Sequence, residues 1–210
     1  MHNSRPASDP PSLTAADWER RYQEGSTRWD LGQAAPGLQA LLADDQTPAP
    51  GRAMVLGAGR GHDALLLASH GFAVTAVDFA PSAIRAMAEQ AAAVNLSITL
   101  LEQNIFDLVP EWAGQFDYVV EHTCFCAIAP NLRPAYSKLA ADLLVPGGEL
   151  LAVFFTHSRG GGPPFGISLQ ELQEIFSPYF AVDSLHPVAN SIPTRQGEEH
   201  LGRFRRLGEI

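Results

Sequence analysis

Three glycines stand where the chain could bring its backbone close to a ligand. Gly57, Gly59 and Gly61 follow the apolar stretch 53–56, which predicts a short strand, and they open a predicted helix. A turn of this kind places backbone N–H groups at a helix N-terminus and, lacking side chains, can approach a bound group closely. We interpret it as a cofactor-binding turn, with a tight turn that binds nothing as the alternative.

The spacing of these glycines bears on which cofactor the turn would take. A dinucleotide fingerprint reads G-x-G-x-x-G and would need its third glycine at position 62, where this chain has His62. The G-x-G-x-G spacing favours a nucleoside that lacks a pyrophosphate. A nicotinamide-dependent oxidoreductase is therefore the less favoured hypothesis for the function.

Polar side chains follow the next two predicted strands at the same end of the sheet. Asp78 ends the second strand, where an acidic residue binds ribose hydroxyls in nucleotide-binding α/β folds. The alternative is that Asp78 only caps the helix that starts at Pro81. Asn104 ends the third strand, and its side-chain amide could bind an adenine edge, with a simple polar turn as the alternative.

His122, Cys124 and Cys126 raise the question of a metal site. No fourth ligand motif accompanies them, so we expect no metal. The cysteines are interpreted as small apolar residues of the sheet or of a pocket wall. Phe125, Phe154 and Phe155 line either the core or a pocket for small, soft or aromatic substrates.

The elements that must position these groups alternate between strand and helix. The predicted strands are 53–56, 73–77, 97–101, 116–120 and 149–155, and the predicted helices between them are 61–70, 81–94 and about 131–144. This alternation predicts a parallel sheet with helices on both faces. Two further strands near 179–187 and 200–206 predict a C-terminal antiparallel hairpin. We expect an α/β fold with a doubly wound, mostly parallel seven-stranded sheet.

The N-terminal part is predicted to be helical and to belong to the same domain. Residues 1–12 are polar and rich in proline, which predicts a flexible tail. Thr14 and Asp17 form a candidate capping box for a helix through Glu24, and a second short helix follows Pro36. We expect residues 13–210 to form a single domain, because the chain is too short for a second one.

Composition excludes several classes of partner. The chain has 210 residues and a net charge of −9, which disfavours binding to nucleic acid. It contains two cysteines, too few for a secreted disulfide framework, and we read no signal peptide or membrane span in it. We expect a cytoplasmic protein, monomeric or weakly oligomeric, whose partner is a small molecule.

Taken together, these residues resemble the thiopurine S-methyltransferase-like family, in its thiol and halide methyltransferase branch. The N-terminal tryptophan-rich block is the most specific part, because general methyltransferase folds lack it. The segments that carry the resemblance are Trp18-Glu19-Arg20-Arg21-Tyr22, Gly25 and Thr27, Trp29-Asp30-Leu31-Gly32, Gly57-Ala58-Gly59-Arg60-Gly61-His62-Asp63, Phe125-Cys126-Ala127-Ile128, Arg133, and Arg195-Gln196-Gly197-Glu198-Glu199.

The resemblance implies a Rossmann-like fold and S-adenosyl-L-methionine as cofactor, with S-adenosyl-L-homocysteine as product. It implies that Trp18 and Trp29 cover the cofactor, whose methylsulfonium cation suits the face of an indole. From sequence alone, ordinary core or staple residues would be the better interpretation of both tryptophans, and the resemblance reverses it. The full set of cofactor-binding residues we expect is Trp18, Trp29, Gly57, Gly59, Asp78, Phe79, Asn104, Ile105 and Glu121.

The chain departs from the family pattern at Glu121-His122, where many relatives carry Asp-Tyr at the end of the fourth strand. Methyl transfer is an in-line displacement that needs alignment and exclusion of water. A thiol acceptor also benefits from a nearby base, because only the thiolate is strongly nucleophilic. We take His122 as the candidate base, with a purely structural histidine as the alternative.

Three more residues are candidates for contacting the methyl acceptor, namely Cys124, Phe125 and Arg133. Arg133 either binds an anionic part of the acceptor or pairs with an acidic helix face. The leading hypothesis is S-methylation of a small thiol. The alternatives are a halide acceptor, an oxygen or nitrogen acceptor on a small metabolite, and a cofactor-binding protein without catalysis.

Overall fold

Seven strands form one sheet that runs through the molecule. The computed structural model describes residues 13–44 and 47–208, so the tail expected at residues 1–12 lies outside the described residues. The strands are β1 (Arg52–Leu56), β2 (Ala73–Asp78), β3 (Thr99–Glu102), β4 (Phe116–His122), β5 (Leu144–Phe155), β6 (Phe180–Pro187) and β7 (Glu199–Arg206). Their order in the sheet is β3-β2-β1-β4-β5-β7-β6.

The first five strands of the sheet run parallel, and β7 runs antiparallel to both of its neighbours. The predicted α/β class, the seven strands and the C-terminal antiparallel hairpin are therefore confirmed. Strand order reverses between β1 and β4, and such a switch opens a crevice at the carboxyl ends of the strands. The glycine turn directly follows β1, so it lies at that crevice.

Six helices cover the sheet in the described residues. They are α1 (Ala15–Gln23), α2 (Pro36–Ala43), α3 (His62–Ser69), α4 (Pro81–Ala93), α5 (Arg133–Leu143) and α6 (Leu169–Phe176), with 3-10 turns at Ile105–Asp107, Phe125–Ala127 and Pro130–Leu132. None of these helices is both long and apolar enough to cross a bilayer.

The central strands are buried on both faces, which explains their continuous apolar sequence. In β1, Met54 and Leu56 belong to a core cluster shared with α5 and α6. Ala53 and Val55 belong to a second cluster on the other face, shared with α2 and α3. Because successive strand residues point to opposite faces, one short strand supports both layers and fixes the position of the glycine turn between them.

Several boundaries differ from the sequence prediction, and the start of β5 differs most. β5 begins at Leu144 rather than at residue 149, because Leu144 pairs with Phe116 before the register shifts, and Glu149 then pairs with Tyr118. Residues 146–148 lie within the strand at this irregularity, with Gly147 at a φ of +78°. The predicted helix from about residue 131 begins as a 3-10 turn and becomes α-helical at Arg133.

Helix α1 contributes no buried residue to the core and is held in place by polar contacts. The predicted capping box is confirmed, since Thr14 and Asp17 exchange hydrogen bonds, and no residue of α1 is buried. Its Glu19 carboxylate accepts hydrogen bonds from the backbone N–H of Ser82 at 2.9 Å and from the Ser82 hydroxyl at 2.7 Å. This carboxylate lies at the N-terminus of α4, where the helix dipole favours a negative charge.

A buried carboxyl group closes the turn that follows β4. Oε2 of Glu121 accepts hydrogen bonds from the backbone N–H groups of Cys124 and Phe125, both at 3.0 Å. The Tyr136 hydroxyl lies 3.4 Å from the same oxygen, and Oε1 has no hydrogen-bond partner among the described residues. Burial raises the pKa of Glu121 to about 7, although these hydrogen bonds and His122 act in the opposite direction.

Replacing Glu121 by Gln should change how the free energy of unfolding depends on pH. The unfolded carboxyl ionises near 4.5 and the folded one near 7. Its stabilising contribution is therefore complete below pH 4.5 and is lost as pH rises to 7, by roughly 3 kcal/mol at about 1.4 kcal/mol per pKa unit. Urea denaturation of Glu121→Gln between pH 4.5 and 7.5 should lack this decline.

The exposed Glu89 on α4 provides a matched control, because Glu89→Gln makes the same chemical change away from the crevice. Its stability curve should run parallel to that of the wild type. If the stability curve of Glu121→Gln also ran parallel to that of the wild type between pH 4.5 and 7, the carboxyl at position 121 would not have a raised pKa.

Candidate functional site

The ends of three parallel strands bring the predicted cofactor residues together. Leu56 pairs with Val77 of β2 on one side and with Glu121 of β4 on the other. The next residues along the chain, Gly57, Asp78 and His122, therefore lie side by side at one edge of the sheet. The sequence prediction placed these residues at strand ends, and the strand order makes them neighbours.

The glycine turn is shaped by its backbone and by close neighbours. Gly57 and Gly59 have φ values of +58° and +57°, which L side chains rarely adopt. A Cβ atom at Gly57 would lie 2.7 Å from Sγ of Cys124, and one at Gly59 would lie 3.3 Å from the Tyr22 hydroxyl. Both positions therefore require glycine, and this close packing brings bare backbone to the crevice.

Asp78 holds the turn instead of capping a helix. Its Oδ2 accepts a hydrogen bond from the backbone N–H of Gly59 at 2.9 Å, and its Oδ1 accepts one from Ala80 at 2.9 Å. The N-cap of α4 is Ala80, which has no side-chain cap, so the capping alternative for Asp78 is wrong. Burial raises the pKa of Asp78 above its usual value, against the effect of these hydrogen bonds.

Three aromatic side chains cover this turn. We call Trp18, Tyr22 and Trp29 the aromatic cover. The Trp29 ring makes edge contacts with Trp18, at 5.0 Å between centroids, and with Tyr22, at 5.5 Å. All three are half-buried, and neither tryptophan belongs to a core cluster. The two tryptophans are therefore not residues of the core clusters, although they pack against each other. Their position would allow these side chains to cover a ligand bound at the turn.

The segment between α1 and α2, residues 27–35, is tied to α3 and its preceding loop; we call it the cover segment. Asp30 pairs with His62 at 3.1 Å and with Arg60 at 3.0 Å. The backbone N–H of Ala35 donates to Oδ1 of Asp63 at 2.7 Å. His62, which stands where a dinucleotide fingerprint needs glycine, thus anchors the cover segment.

His122 is buried, and both of its ring nitrogens have partners. Nδ1 lies 2.8 Å from Oδ2 of Asp63, and Nε2 lies 3.3 Å from Nη1 of Arg195 and 3.9 Å from Oε1 of Glu199. Burial alone would lower the pKa of His122, but attraction to Asp63 outweighs it and the pKa is raised. For Asp63, burial raises the pKa and His122 lowers it, with a net lowering.

Sequence reasoning missed Asp63, Arg195 and Glu199 as site residues. They were noted only as parts of the segments that carry the family resemblance. Arg195 and Glu199 are 7% and 1% exposed, and they form an ion pair at 3.1 Å. The available signal was the position of these charged residues within the segments that carry the resemblance.

The remaining predicted cofactor residues lie at the β2 and β3 side of the crevice. Phe79 follows Asp78 and is half-buried, and Ile105 is buried. Asn104 is exposed, and its side-chain oxygen accepts a hydrogen bond from the backbone N–H of Phe106 at 3.1 Å. This bond caps the 3-10 turn, so the polar-turn alternative describes the Asn104 oxygen correctly.

The predicted acceptor residues have different surroundings. Sγ of Cys124 packs against Gly57, and burial raises the pKa of this thiol well above its ordinary value. Phe125 is 1% exposed and belongs to the core, in ring contact with Phe154 and Phe176. Burial also raises the pKa of Cys126, to about 12. The two cysteines are free, and neither favours a thiolate.

Arg133 binds backbone carbonyls, where the sequence suggested pairing with an acidic helix face. Its guanidinium is 4% exposed and donates to the backbone carbonyls of Phe165 at 2.9 Å and Gly166 at 3.0 Å. It also lies over the Phe125 ring, 5.0 Å from the centroid. Arg133 thus fixes the glycine-rich loop 159–166, whose Phe165 N–H also donates to the carbonyl of Cys126 at 2.7 Å.

Two cavities lie at this edge of the sheet. The one at the glycine turn, between Trp29, Gly59 and His122, measures only about 40 Å³. The larger one measures about 650 Å³ and is lined by loop and β7 residues, among them His157, Phe165 and His200. Ligand pockets typically measure about 300–1,000 Å³, so only the larger cavity is ready for a ligand of that size.

The small size of the first cavity does not count against a cofactor there, because the aromatic cover lies directly on the turn. The large cavity is not lined by Gly57, Gly59 or Asp78, the predicted cofactor residues. Among residues 13–44 and 47–208, no group of three or more His, Cys, Asp or Glu side chains is arranged to hold a metal ion.

Comparisons with known proteins identify the family of this chain. The sequence model of the thiopurine S-methyltransferase family matches residues 13–205. The chain is 33% identical to thiocyanate methyltransferase 1 of Brassica oleracea, over 94% of this chain and 88% of that one. It is 31% identical to the probable thiol methyltransferase 2 of Arabidopsis thaliana, over 92% of this chain and 86% of that one.

The fold is shared with a solved methyltransferase. The structure of Burkholderia thailandensis 1,6-didemethyltoxoflavin-N1-methyltransferase, with bound S-adenosylhomocysteine, superposes with a TM-score of 0.75 at 21% identity, covering 99% of both chains. The residues present fit such a cofactor, because the cavity at the glycine turn is lined by the bare backbone of Gly57 and Gly59 and by Trp29, and the Asp78 carboxylate is bound to the Gly59 N–H beside it. This chain belongs to the thiopurine S-methyltransferase family and is an S-adenosylmethionine-dependent methyltransferase.

Proposed function

We propose that this protein methylates the sulfur of a small thiol. The observation that carries the proposal is His122, a buried imidazole whose Nδ1 is held by Asp63 at the edge of the cofactor crevice. A thiol must lose its proton to become a strong nucleophile, and a histidine fixed by a carboxylate is a group that can take it. The names of the plant relatives, thiocyanate and thiol methyltransferases, also support a sulfur acceptor.

We assign cofactor binding to the residues around the glycine turn. The carboxylate of Asp78 would accept hydrogen bonds from ribose hydroxyls, and Gly57 and Gly59 would let the backbone approach the nucleoside. Phe79, Asn104 and Ile105 would border the base. Trp18 and Trp29 would cover the sulfonium end and exclude water, and Glu121 would support the crevice from β4. When bound, S-adenosyl-L-methionine supplies an electrophilic methyl group.

His122 would move the proton in this reaction. The acceptor sulfur forms a bond to the methyl carbon while the bond from that carbon to the cofactor sulfur breaks. The thiol proton passes to Nε2 of His122, whose positive charge is then balanced by Asp63 at 2.8 Å. A pKa raised by Asp63 makes the imidazole a stronger base and confines activity to pH values above that pKa.

The acceptor sulfur needs space next to this base, and His122 lines the small cavity at the glycine turn, so the sulfur would react there. The cavity of about 650 Å³ is not lined by His122, so it would hold only the remainder of a larger acceptor. Its apolar residues Phe165, Ile167 and Leu169 favour a soft or aromatic group over a strongly hydrated one.

We also propose that the protein acts in the cytoplasm on a small molecule, as a monomer or weak oligomer, and does not bind nucleic acid. Two free cysteines suit a reducing compartment. A net charge of −9 opposes association with a polyanion.

The acceptor class can be tested with purified protein, labelled S-adenosyl-L-methionine and a panel of acceptors. Aliphatic and aromatic thiols should be methylated most rapidly, and replacing His122 by Phe should slow them strongly. Iodide and thiocyanate carry no proton, so any turnover with them should be affected much less by this substitution. Label found only on hydroxyl or amine acceptors would contradict S-methylation.

The assignment of Asp78 can be tested by binding alone. Asp78→Asn should weaken S-adenosyl-L-homocysteine binding by about 10- to 100-fold, because hydrogen bonds to a charged group contribute roughly 1.5–3 kcal/mol. Isothermal titration calorimetry measures this effect. Asp183→Asn makes the same change on the exposed hairpin and should bind like the wild type. Equal affinity in the two variants would remove Asp78 from the cofactor site.

A further inference from the structure

Arg195 is a buried cation that joins distant parts of the chain. Its Nη1 donates to Oε1 of Glu199 at 3.1 Å and lies 3.3 Å from Nε2 of His122. Its Nη2 donates to the backbone carbonyl of Trp29 at 2.8 Å. One side chain from the loop before β7 therefore contacts both the candidate base and the backbone of the cover segment.

His122 stands between two anchors of the cover segment. On its Nε2 side, Arg195 holds the segment at Trp29. On its Nδ1 side, Asp63 holds the same segment at the N–H of Ala35. Polar contacts therefore run without interruption from Trp29 to Ala35. They pass through Arg195, His122 and Asp63, with the imidazole at the centre.

The contact with Arg195 depends on the protonation state of His122. Asp63 accepts, so Nδ1 carries the proton. Arg195 can only donate, so a hydrogen bond across the 3.3 Å from Nη1 to Nε2 requires an unprotonated Nε2. Protonation of Nε2 would place an N–H opposite the guanidinium and remove this contact.

The cover segment must also move during a catalytic cycle. The cavity beneath it measures about 40 Å³, well below the roughly 300 Å³ at the lower end of ligand pockets. A cofactor can enter and its product can leave only if Trp29 and its neighbours withdraw. Contacts that hold Trp29 in place therefore affect binding and release.

We propose that Arg195 is a positioning residue that couples closure of the cover segment to a neutral His122. With Nε2 unprotonated, Arg195 bridges the imidazole and the Trp29 carbonyl, and the segment closes over the cofactor. When Nε2 takes the proton of the acceptor, Arg195 loses this partner and the segment is released together with the product. The proposal rests on the proposed function only in naming the acceptor as the source of that proton.

The charges around His122 come from four elements, and they act in opposite directions. Asp63 of α3, Glu121 of β4 and Glu199 of β7 favour the protonated imidazole, whereas Arg195 opposes it. Asp63 itself is influenced by His62. Removing the positive charge at position 195 should therefore raise the pKa of His122.

The experiment compares wild-type protein with Arg195→Met and Arg195→Lys. NMR titration of the histidine rings, with His122→Asn for assignment, gives the pKa of His122 with and without S-adenosyl-L-homocysteine. Calorimetry gives the affinity for the same compound at several pH values. Arg205→Met, which removes an exposed arginine of β7, is the matched control.

In the wild type, S-adenosyl-L-homocysteine should lower the pKa of His122, and its affinity should fall about 5- to 10-fold as pH drops through that pKa, because linkage is reciprocal. In Arg195→Met the affinity should be lower, and both couplings should disappear. Arg195→Lys keeps a cation beside Glu199 but cannot contact His122 and the Trp29 carbonyl at the same time, so it should also lose both couplings. This second variant provides the test if Arg195→Met fails to fold.

Wild-type affinity that does not change as His122 titrates would overturn the proposal. So would an Arg195 variant that loses affinity yet keeps the pKa shift on binding, because Arg195 would then hold the cover segment independently of His122. These measurements use no methyl acceptor, so an error about the acceptor class leaves their outcome unchanged.

Discussion

The contact between the Asp63 carboxylate and the His122 imidazole is the interaction on which the crevice depends. Asp63 lies in the first turn of α3, directly after the glycine turn, and His122 ends β4. Their 2.8 Å contact therefore connects the two strands between which the order of the sheet reverses. Through its second oxygen Asp63 reaches the cover segment, and through its second nitrogen His122 reaches Arg195. The N-terminal and C-terminal parts of the chain meet at this pair.

Burying so many charges is costly unless each is matched. Isolated ionised groups are strongly disfavoured in a protein interior, and removing one partner of a buried pair leaves the other uncompensated. Here Asp63, His122, Arg195 and Glu199 alternate between acceptor and donor, and the Ser191 hydroxyl donates to the outer oxygen of Glu199. This pairing fixes the orientation of each group, so the network provides specificity of arrangement more than net stability.

Much of the fold and part of the candidate site could be predicted from sequence. The alternation of predicted strands and helices indicated the α/β class and the seven strands, and Gly57, Asp78 and His122 were correctly placed at strand ends, although only the strand order makes them neighbours. Arg133 could not be interpreted, because its partners are backbone carbonyls of a loop that is 32 residues away in sequence. Arg195 was missed for the same reason, since its contacts with His122 and Trp29 span 73 and 166 residues. Such contacts depend on loop conformations that local patterns do not determine.

The peripheral attachment of α1 has a consequence for how the protein is built. The helix buries none of its residues, and it is anchored to the rest of the chain by the Glu19 carboxylate at the start of α4 and by the ring contacts around Trp29. The sheet and its two core layers draw no support from it. A chain that lost this helix would retain a folded sheet and an intact glycine turn, but the turn would face water directly. Assembly of the enclosed reaction site is therefore separable from folding of the core.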